Sequence, residues 1–461
     1  MKILLIQPKM NKRPMDTDLK TRMAPSLGLL TLVSLTPPGH EVVLVNENIE
    51  AVDFAAGPDL VGITMTLDVL PRAVAIADAF RRQGVPVVAG GIHATCCPES
   101  CQAHFDAVCA GPAERVWRRI LRDAEAGSLL REYCDTDGFR GEEVASPAYG
   151  RIAQGRYLYT NVVTTSRGCP NRCAFCYNSA ARRCYAVRPV TDVLRDIRAL
   201  GTRHILFIDD NFIGSPAYTR KLLRALSGMN LVWGAAVTTD ILDDPELLDL
   251  MAATGCQTLF IGFESINAAS LAGVNKANRV ERYEQLVDAI HSRGIMVNAS
   301  MVFGLDGDDA GTFRRTLDWL VAMRVETLTS HILTPYPGTE LYRRMEAAGR
   351  ITDRDLAHYN TAHVVFQPKN MTAAELYAGY IWMYRQFYSL RNILRRYPAE
   401  KAQRRSYLLF NLLYRKFGRA TAALAHLIPM QMIGRWAARL SYKALPDRGS
   451  SALPEPSRRS A

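Results

Sequence analysis

Apolar residues along the chain fall into two alternating patterns. Short continuous runs, "KILLIQP" (2–8), "EVVLVNE" (41–47), "LVGITMT" (60–66), "VPVVAGG" (85–91) and "DAVCAG" (106–111), read as buried strands. Between them lie stretches with helical spacing, such as 71–83, where Pro71 suits a first helical turn. This alternation predicts an α/β fold with a doubly wound parallel sheet over residues 1–126, its ligands at the carboxyl ends of the strands. Residues 127–158 lose the periodicity, carry "DTDG" and "SPAYG", and are expected to link two domains.

The alternation restarts near residue 160. Strands are predicted near 160–166, 204–209, 231–237, 257–263, 295–303 and 326–333, separated by helices near 190–200, 217–227, 245–254, 279–293 and 311–323. Six such units predict a partial (β/α)6 barrel over 159–345, with its chemistry at the strands' C-terminal ends. Residues 346–445 read as helical and basic, and 446–461, ending "GSSALPEPSRRSA", as a disordered tail.

Composition adds little to this picture. With 48% hydrophobic and 22% charged residues over 461 positions, the chain is ordinary for a globular protein of two or three domains. "MKILLIQPKM" is too short an apolar run for a signal peptide, and no apolar stretch reaches membrane-span length, so a cytoplasmic location is expected. Charge is uneven: residues 391–443 hold twelve Lys/Arg against one acid, Glu400, and so account for the formal +11 of the whole chain. That segment mixes cations with aromatics, as strand-binding surfaces do, but its helical spacing fits amphipathic helices packed on the barrel better than nucleic acid or a membrane surface.

Chemistry concentrates in "RGCPNRCAFCYN" (167–178), directly after the first barrel strand. Structural zinc needs four protein ligands, and no second CxxC or HxxxH pair lies nearby. Free thiols without a ligand role are the plain alternative. Three thiolates suit an iron–sulfur cubane with one iron left open, and Gly168 and Pro170 suit a loop wrapped tightly around it.

CxxxCxxC at this place in a βα barrel resembles the radical S-adenosylmethionine (radical SAM) superfamily. The resemblance implies that Cys169, Cys173 and Cys176 hold a [4Fe–4S] cluster whose fourth iron is chelated by the methionyl group of SAM. Reduction, by a donor such as flavodoxin or ferredoxin, would then yield a 5′-deoxyadenosyl radical that takes a hydrogen atom from a small-molecule substrate. It places Phe175 near the adenine. "FIDDNF" (207–212) stands where the family binds the SAM amino group, without the usual glycine pair and glutamate, so Asp209, Asp210 and Asn211 are the acceptors available. "FIGFES" puts Glu264 and Ser265 near the ribose or carboxylate, and "NASMVFGLDGDD" puts Asn298 and Gly304 beside adenine. Helix capping is the competing role for Asp308 and Asp309.

Residues 1–126 resemble the cobalamin-binding domain of one branch of that superfamily, through "APSLGLLTL", "DLVGITMT", "VPVVAGGIHAT" and "AVCAGPAE". Gly90 and Gly91 would let backbone approach a cofactor tail. There is no DxHxxG, and the common Gly-Glu-x-Glu turn reads "GPAE". His93 is a candidate to face the ligand, against a structural role. Cys96, Cys97 and Cys101 raise a second cluster, against free or buried thiols.

Two enzyme readings follow. In one, cobalamin is bound and a substrate carbon, in a natural product or a lipid, is methylated. In the other, preferred here, the domain is a scaffold without cobalamin and the enzyme dehydrates a 1,2-diol of an amino sugar such as paromamine, as the radical SAM diol dehydratases of aminoglycoside biosynthesis do, leaving a ketone for an NAD(P)H-dependent reductase. The preference rests on overall length, on "TPYPGTEL" (334–341), and on an expected acidic mouth of Asp209, Asp210, Glu264, Asp306, Asp308 and Asp309 that would steer a polycation. Asp210 and Tyr336 are the candidate bases. A third reading, an iron–sulfur nucleic-acid-binding protein, rests on the basic segment alone.

Overall fold

The five N-terminal apolar runs form strands β1 (Lys2–Gln7), β2 (Glu41–Asn46), β3 (Leu60–Thr64), β4 (Val87–Gly90) and β5 (Ala107–Cys109), and a sixth, β6 (Glu132–Tyr133), joins them. The sheet is parallel, in the order β2-β1-β3-β4-β5-β6. The structure, a computed structural model, describes residues 1–13, 16, 20–153, 155–180, 185–401, 403–414 and 432. The expected tail and most of the basic segment after 414 lie outside the described residues. Separate apolar clusters cover the two faces of the sheet, one under helix Leu70–Arg81 and one under helices Leu27–Leu35 and Trp117–Glu125. The stretch expected as a linker is woven into this domain: β6 extends the sheet, and Tyr149 and Ile152 pack on Leu30.

The second sheet contains β7 (Val162–Val163), β10 (His204–Phe207), β11 (Val232–Val237), β12 (Cys256–Glu264), β13 (Met296–Phe303) and β14 (Thr327–Ile332), in the order β14-β13-β12-β11-β10-β7 and all parallel. It curls as a partial barrel whose two edge strands, β7 and β14, pair with no further strand among the described residues. Between β7 and β10 the chain forms a small antiparallel ribbon, β8 (Ser166–Arg167) with β9 (Ala186–Val187), which closes the base of the cysteine loop.

An unpaired edge strand exposes backbone donors and acceptors that recruit other chains. Here the C-terminal region blunts it. Tyr388 Oη accepts from Leu328 N–H (2.9 Å) and donates to Leu328 C=O (2.8 Å), and Tyr384 Oη does the same at Ser330, so helix Ala373–Phe387 and the residue after it cover β14. Arg396 is fully buried beneath, donating to the carbonyls of Val325, Glu326 and Phe387 and lying over the Phe387 ring. Helix Arg404–Tyr414 follows it under the barrel, where Tyr407 and Asn411 are buried. The amphipathic packing expected for the basic segment is therefore present as far as the described residues extend. No helix among them is long and apolar enough to cross a membrane.

Candidate active site

The cysteine loop leaves the barrel through Gly168, whose φ of +76° only glycine adopts readily. Asp209 holds the start of the loop: its Oδ1 accepts from Thr165 N–H, Ser166 N–H and Ser166 Oγ at 2.6–2.8 Å. Further on, Ala174 bonds through its backbone to Val274 and to Leu341, and Asn275 Nδ2 donates to Arg172 C=O. Cys169 and Cys176 are half-buried and Cys173 is buried. Burial raises all three thiols, Cys176 to about 11, so thiolate ligation there must release protons. No three His, Cys, Asp or Glu among the described residues surround a single-ion position. That suits a cubane, in which each thiolate takes a different iron.

Around this loop the structure separates residues that sequence reading had grouped. Asp210 lies at the mouth of an inter-domain cavity, hydrogen-bonded to Asn178 and near Arg167, its carboxyl raised by burial. Asp209 is fully buried, raised to about 6 by desolvation despite its hydrogen bonds, and its Oδ2 has no partner among the described residues. Asn211 is buried and turned inward, accepting from Ile213 N–H and donating to Thr238 Oγ1. Phe175 packs on the edge of the barrel core.

Glu264 ends β12 where the register with β13 slips, and its φ is +63°. A non-glycine residue held there stores strain, a feature that clusters at functional sites. Its Oε1 accepts from Lys276 Nζ at 3.0 Å, and the two side chains are only 10% and 9% exposed. Burial pulls the Lys276 ammonium down, but Glu264 and the cysteines beside it outweigh that and leave it raised. Lys276 was missed in the sequence, where "GVNKAN" carries no motif. Ser265 is buried, its hydroxyl accepting from Asn267 N–H. Asn298 lies low on β13, bonded to Thr329 Oγ1 and away from the strand ends. Gly304 adopts φ +98°, and a Cβ there would stand 2.7 Å from Leu376, so its glycine serves helix packing.

The acidic mouth does not form. Asp306 pairs with Arg350 and Lys369, and Asp309 with Arg315. Asp308 accepts from Gly304 N–H and Leu305 N–H as a buried turn cap, and Glu264 is matched by Lys276. Each acid is spent locally, leaving Asp210 as the acid of the set that faces the cavity. Tyr336 lines a different cavity, stacked on Tyr177 at 4.7 Å, with its hydroxyl raised by burial, which makes it a poor base.

The inter-domain cavity, about 360 Å³, joins both domains. One wall carries Gly28, Gly62, Gly90, Gly91 and Gly111 of the first domain, and the other Gly168, Cys169, Pro170 and Asp210. A Cβ on Gly90 would meet nothing closer than Ile63 C=O at 3.9 Å, and one on Gly28 nothing closer than 4.0 Å, so the backbone there is bare. Such a cradle fits the close approach of a cofactor tail. The departure noted at "GPAE" gains a role here: Glu114 pairs with Arg167 at 2.5 Å, tying the cradle to the residue before Gly168. His93 does not line the cavity. It is buried, with Nδ1 against Tyr177 Oη (2.6 Å) and Nε2 against Ser100 Oγ (2.9 Å), so both nitrogens are committed to packing. Cys96 and Cys97 bond to carbonyls of Tyr177 and Pro337, with Cys101 buried beside Ser100.

Residues 163–320 match the radical SAM superfamily, 23–121 the B12 binding domain, and 339–426 a domain of unknown function, DUF4070. The chain thus carries a radical SAM domain behind an N-terminal B12-binding domain. The radical SAM domain implies a [4Fe–4S] cluster and SAM, and the B12-binding domain supports cobalamin over the empty scaffold preferred from the sequence. Among curated proteins it is 28% identical, over 86% of this chain and 89% of the relative, to bacteriochlorophyllide d C-12(1)-methyltransferase of Chlorobaculum tepidum. It is 26% identical, over 74% and 68%, to hopanoid C-2 methylase of Rhodopseudomonas palustris. Among solved structures, the methyltransferase TsrM from Kitasatospora setae with cobalamin and [4Fe–4S] cluster shares the fold (TM-score 0.63, 16% identity, 95% of this chain and 99% of that one). So does the cobalamin-dependent enzyme OxsB (0.65, 15%, 95% and 75%).

Proposed function

We propose that this enzyme is a cobalamin-dependent radical SAM C-methyltransferase acting on a carbon of a small molecule. The observation that carries the reading is the shared cavity, in which the glycine cradle of the B12-binding domain faces the cysteine loop. Relatives named as methyltransferases support it, and the electrostatic motive for an amino-sugar dehydratase is gone because the acids are paired. No partner reductase is then required. When bound, the cofactors supply a substrate radical and a methyl group to meet it.

The chain's own residues do the rest. Cys169, Cys173 and Cys176 hold the cluster. Lys276 and Glu264, beside Cys173, offer a cation and an anion to the carboxylate and ribose of SAM. Asp209 Oδ2 is an acceptor for its amino group. Gly28 and Gly90 would seat the cobalamin tail, whereas Gly91, with φ +94°, is glycine because a Cβ there would stand 2.7 Å from the Met65 backbone. Asp210, lining the cavity between the two domains, is placed to hydrogen-bond a polar group of the substrate and so orient the carbon that gives up its hydrogen atom.

The test is anaerobic reconstitution of the full chain with iron, sulfide and cobalamin, followed by incubation with reductant and deuteromethyl-SAM. One retained cobalamin per chain and a product heavier by a labelled methyl group are expected. Deoxyadenosine without retained cobalt would return the dehydration reading.

A further inference from the structure

Two C-terminal helices lie against the barrel, each by one face only. In Leu390–Arg395 the inner face is Asn392 and Ile393, followed by the buried Arg396, and in Arg404–Tyr414 it is Ser406, Tyr407 and Asn411. The helices are joined on that side, Tyr407 Oη donating to Ile393 C=O and Arg396 Nη2 to Asn411 Oδ1. The outer faces stand open. Leu390 and Leu394, one helical turn apart, are 53% and 69% exposed, and Leu412 is 45% exposed. On the same two helices Arg391, Arg395 and Arg405 are exposed.

Single exposed apolar residues are ordinary on a protein surface, whereas a concentration of them marks a contact. Seven large apolar residues stand exposed among the described residues, and four of them, Leu390, Leu394, Leu412 and Met432, fall in this region. It is also where the excess charge lies, twelve Lys/Arg against Glu400 over residues 391–443. Elsewhere surface cations are matched, as Arg314 is by Asp318 and Arg354 by Glu346. Arg391, Arg395 and Arg405 have no carboxylate partner among the described residues.

We infer that the outward faces of these two helices dock the enzyme on an anionic lipid surface. Leucines beside arginines suit that partner: the leucines enter the acyl boundary, and the arginine stems lie along it with their guanidinium groups on the headgroup phosphates. A single-stranded nucleic acid would instead need aromatic faces to stack on. Here Tyr407 is buried and Tyr397 half-buried, and the exposed positions carry leucine. Few leucines or few cations alone hold a protein weakly, and the two together supply the double signal that peripheral binding takes. The inference rests on the placement of these helices and not on the methyl-transfer reading.

The experiment is flotation of the cluster- and cobalamin-loaded full chain with vesicles of phosphatidylcholine alone, and of phosphatidylcholine with phosphatidylglycerol. Salt-sensitive binding to the anionic vesicles is expected. It should weaken about tenfold or more in Arg391→Gln/Arg395→Gln/Arg405→Gln and likewise in Leu390→Ser/Leu394→Ser. All five side chains are exposed, so iron content and thermal midpoint should stay at wild-type values and report that both variants are intact. If one variant fails to load iron, the other decides. Equal binding to both kinds of vesicle, binding to neither, or anionic binding that the variants retain would each overturn the inference. Binding of a single-stranded oligouridylate without binding of vesicles would overturn it in favour of nucleic acid. Flotation is read without turnover. Failure of methyl transfer therefore leaves this inference standing, and failure of flotation leaves the methylation reading standing.

Discussion

The Lys276–Glu264 pair gives the sharpest energetic test. The ammonium and carboxylate sit 3.0 Å apart with side chains about one-tenth exposed, and among the described residues the further support of Glu264 is a long contact from Ser300 Oγ (3.5 Å). Lys276→Met fills similar space but leaves the carboxylate buried and uncompensated. Removing one partner of a buried pair costs about 3–5 kcal/mol. At roughly 2–4 °C per kcal/mol for a domain of this size, the barrel's melting midpoint should fall by about 6–20 °C. Adding Glu264→Gln removes the stranded charge, so the double variant should recover to within about 2 kcal/mol of wild type. Thermal unfolding of cluster-free protein, followed by circular dichroism, measures both without reference to activity. A loss under 1 kcal/mol in the single variant, or a double variant as unstable as the sum of the singles, would refute the claim that the lysine neutralises Glu264.

Other outcomes are equally specific. Alanine at Cys169, Cys173 or Cys176 should abolish the cluster absorbance and deoxyadenosine formation, whereas alanine at Cys96, Cys97 or Cys101 should leave iron content unchanged in a ferrozine assay. Gly90→Leu should fill the cradle and lower retained cobalamin at least tenfold on desalting while the iron content stays at wild-type level, since its Cβ points into open space. Asp308 has a folded pKa of about 6, above its unfolded value of about 3.9, so the stability it contributes is full below pH 4 and lost as pH rises through 6. Wild type should therefore lose up to about 3 kcal/mol relative to Asp308→Asn between pH 4 and 7, measured by urea unfolding.

The two-sheet architecture was legible because parallel strands buried on both faces write themselves as apolar runs; all five N-terminal runs and the barrel strands lie where the pattern predicts. The cysteine loop was legible because its ligands are close in sequence. What escaped depends on partners far apart along the chain. Asp306 looks like a free acid until Arg350 and Lys369 arrive from later loops, and Glu114 looks like a broken motif until Arg167 meets it. Lys276 had no local signature at all, since burial beside Glu264 is a property of the folded barrel. His93 misled because a histidine after a strand looks the same whether it faces a ligand or a tyrosine.

The base of the cysteine loop is fastened by protein alone: Asp209 to Thr165 and Ser166, Ala174 to Val274 and Leu341, and the ribbon of β8 with β9. These anchors need no metal, so loss of the iron to oxygen should disarm the enzyme while the base of the loop stays fastened, leaving a vessel that iron and sulfide can recharge. Damage and repair become a cycle of cargo on a durable frame, in contrast to zinc-finger domains, where losing the ion means losing the fold.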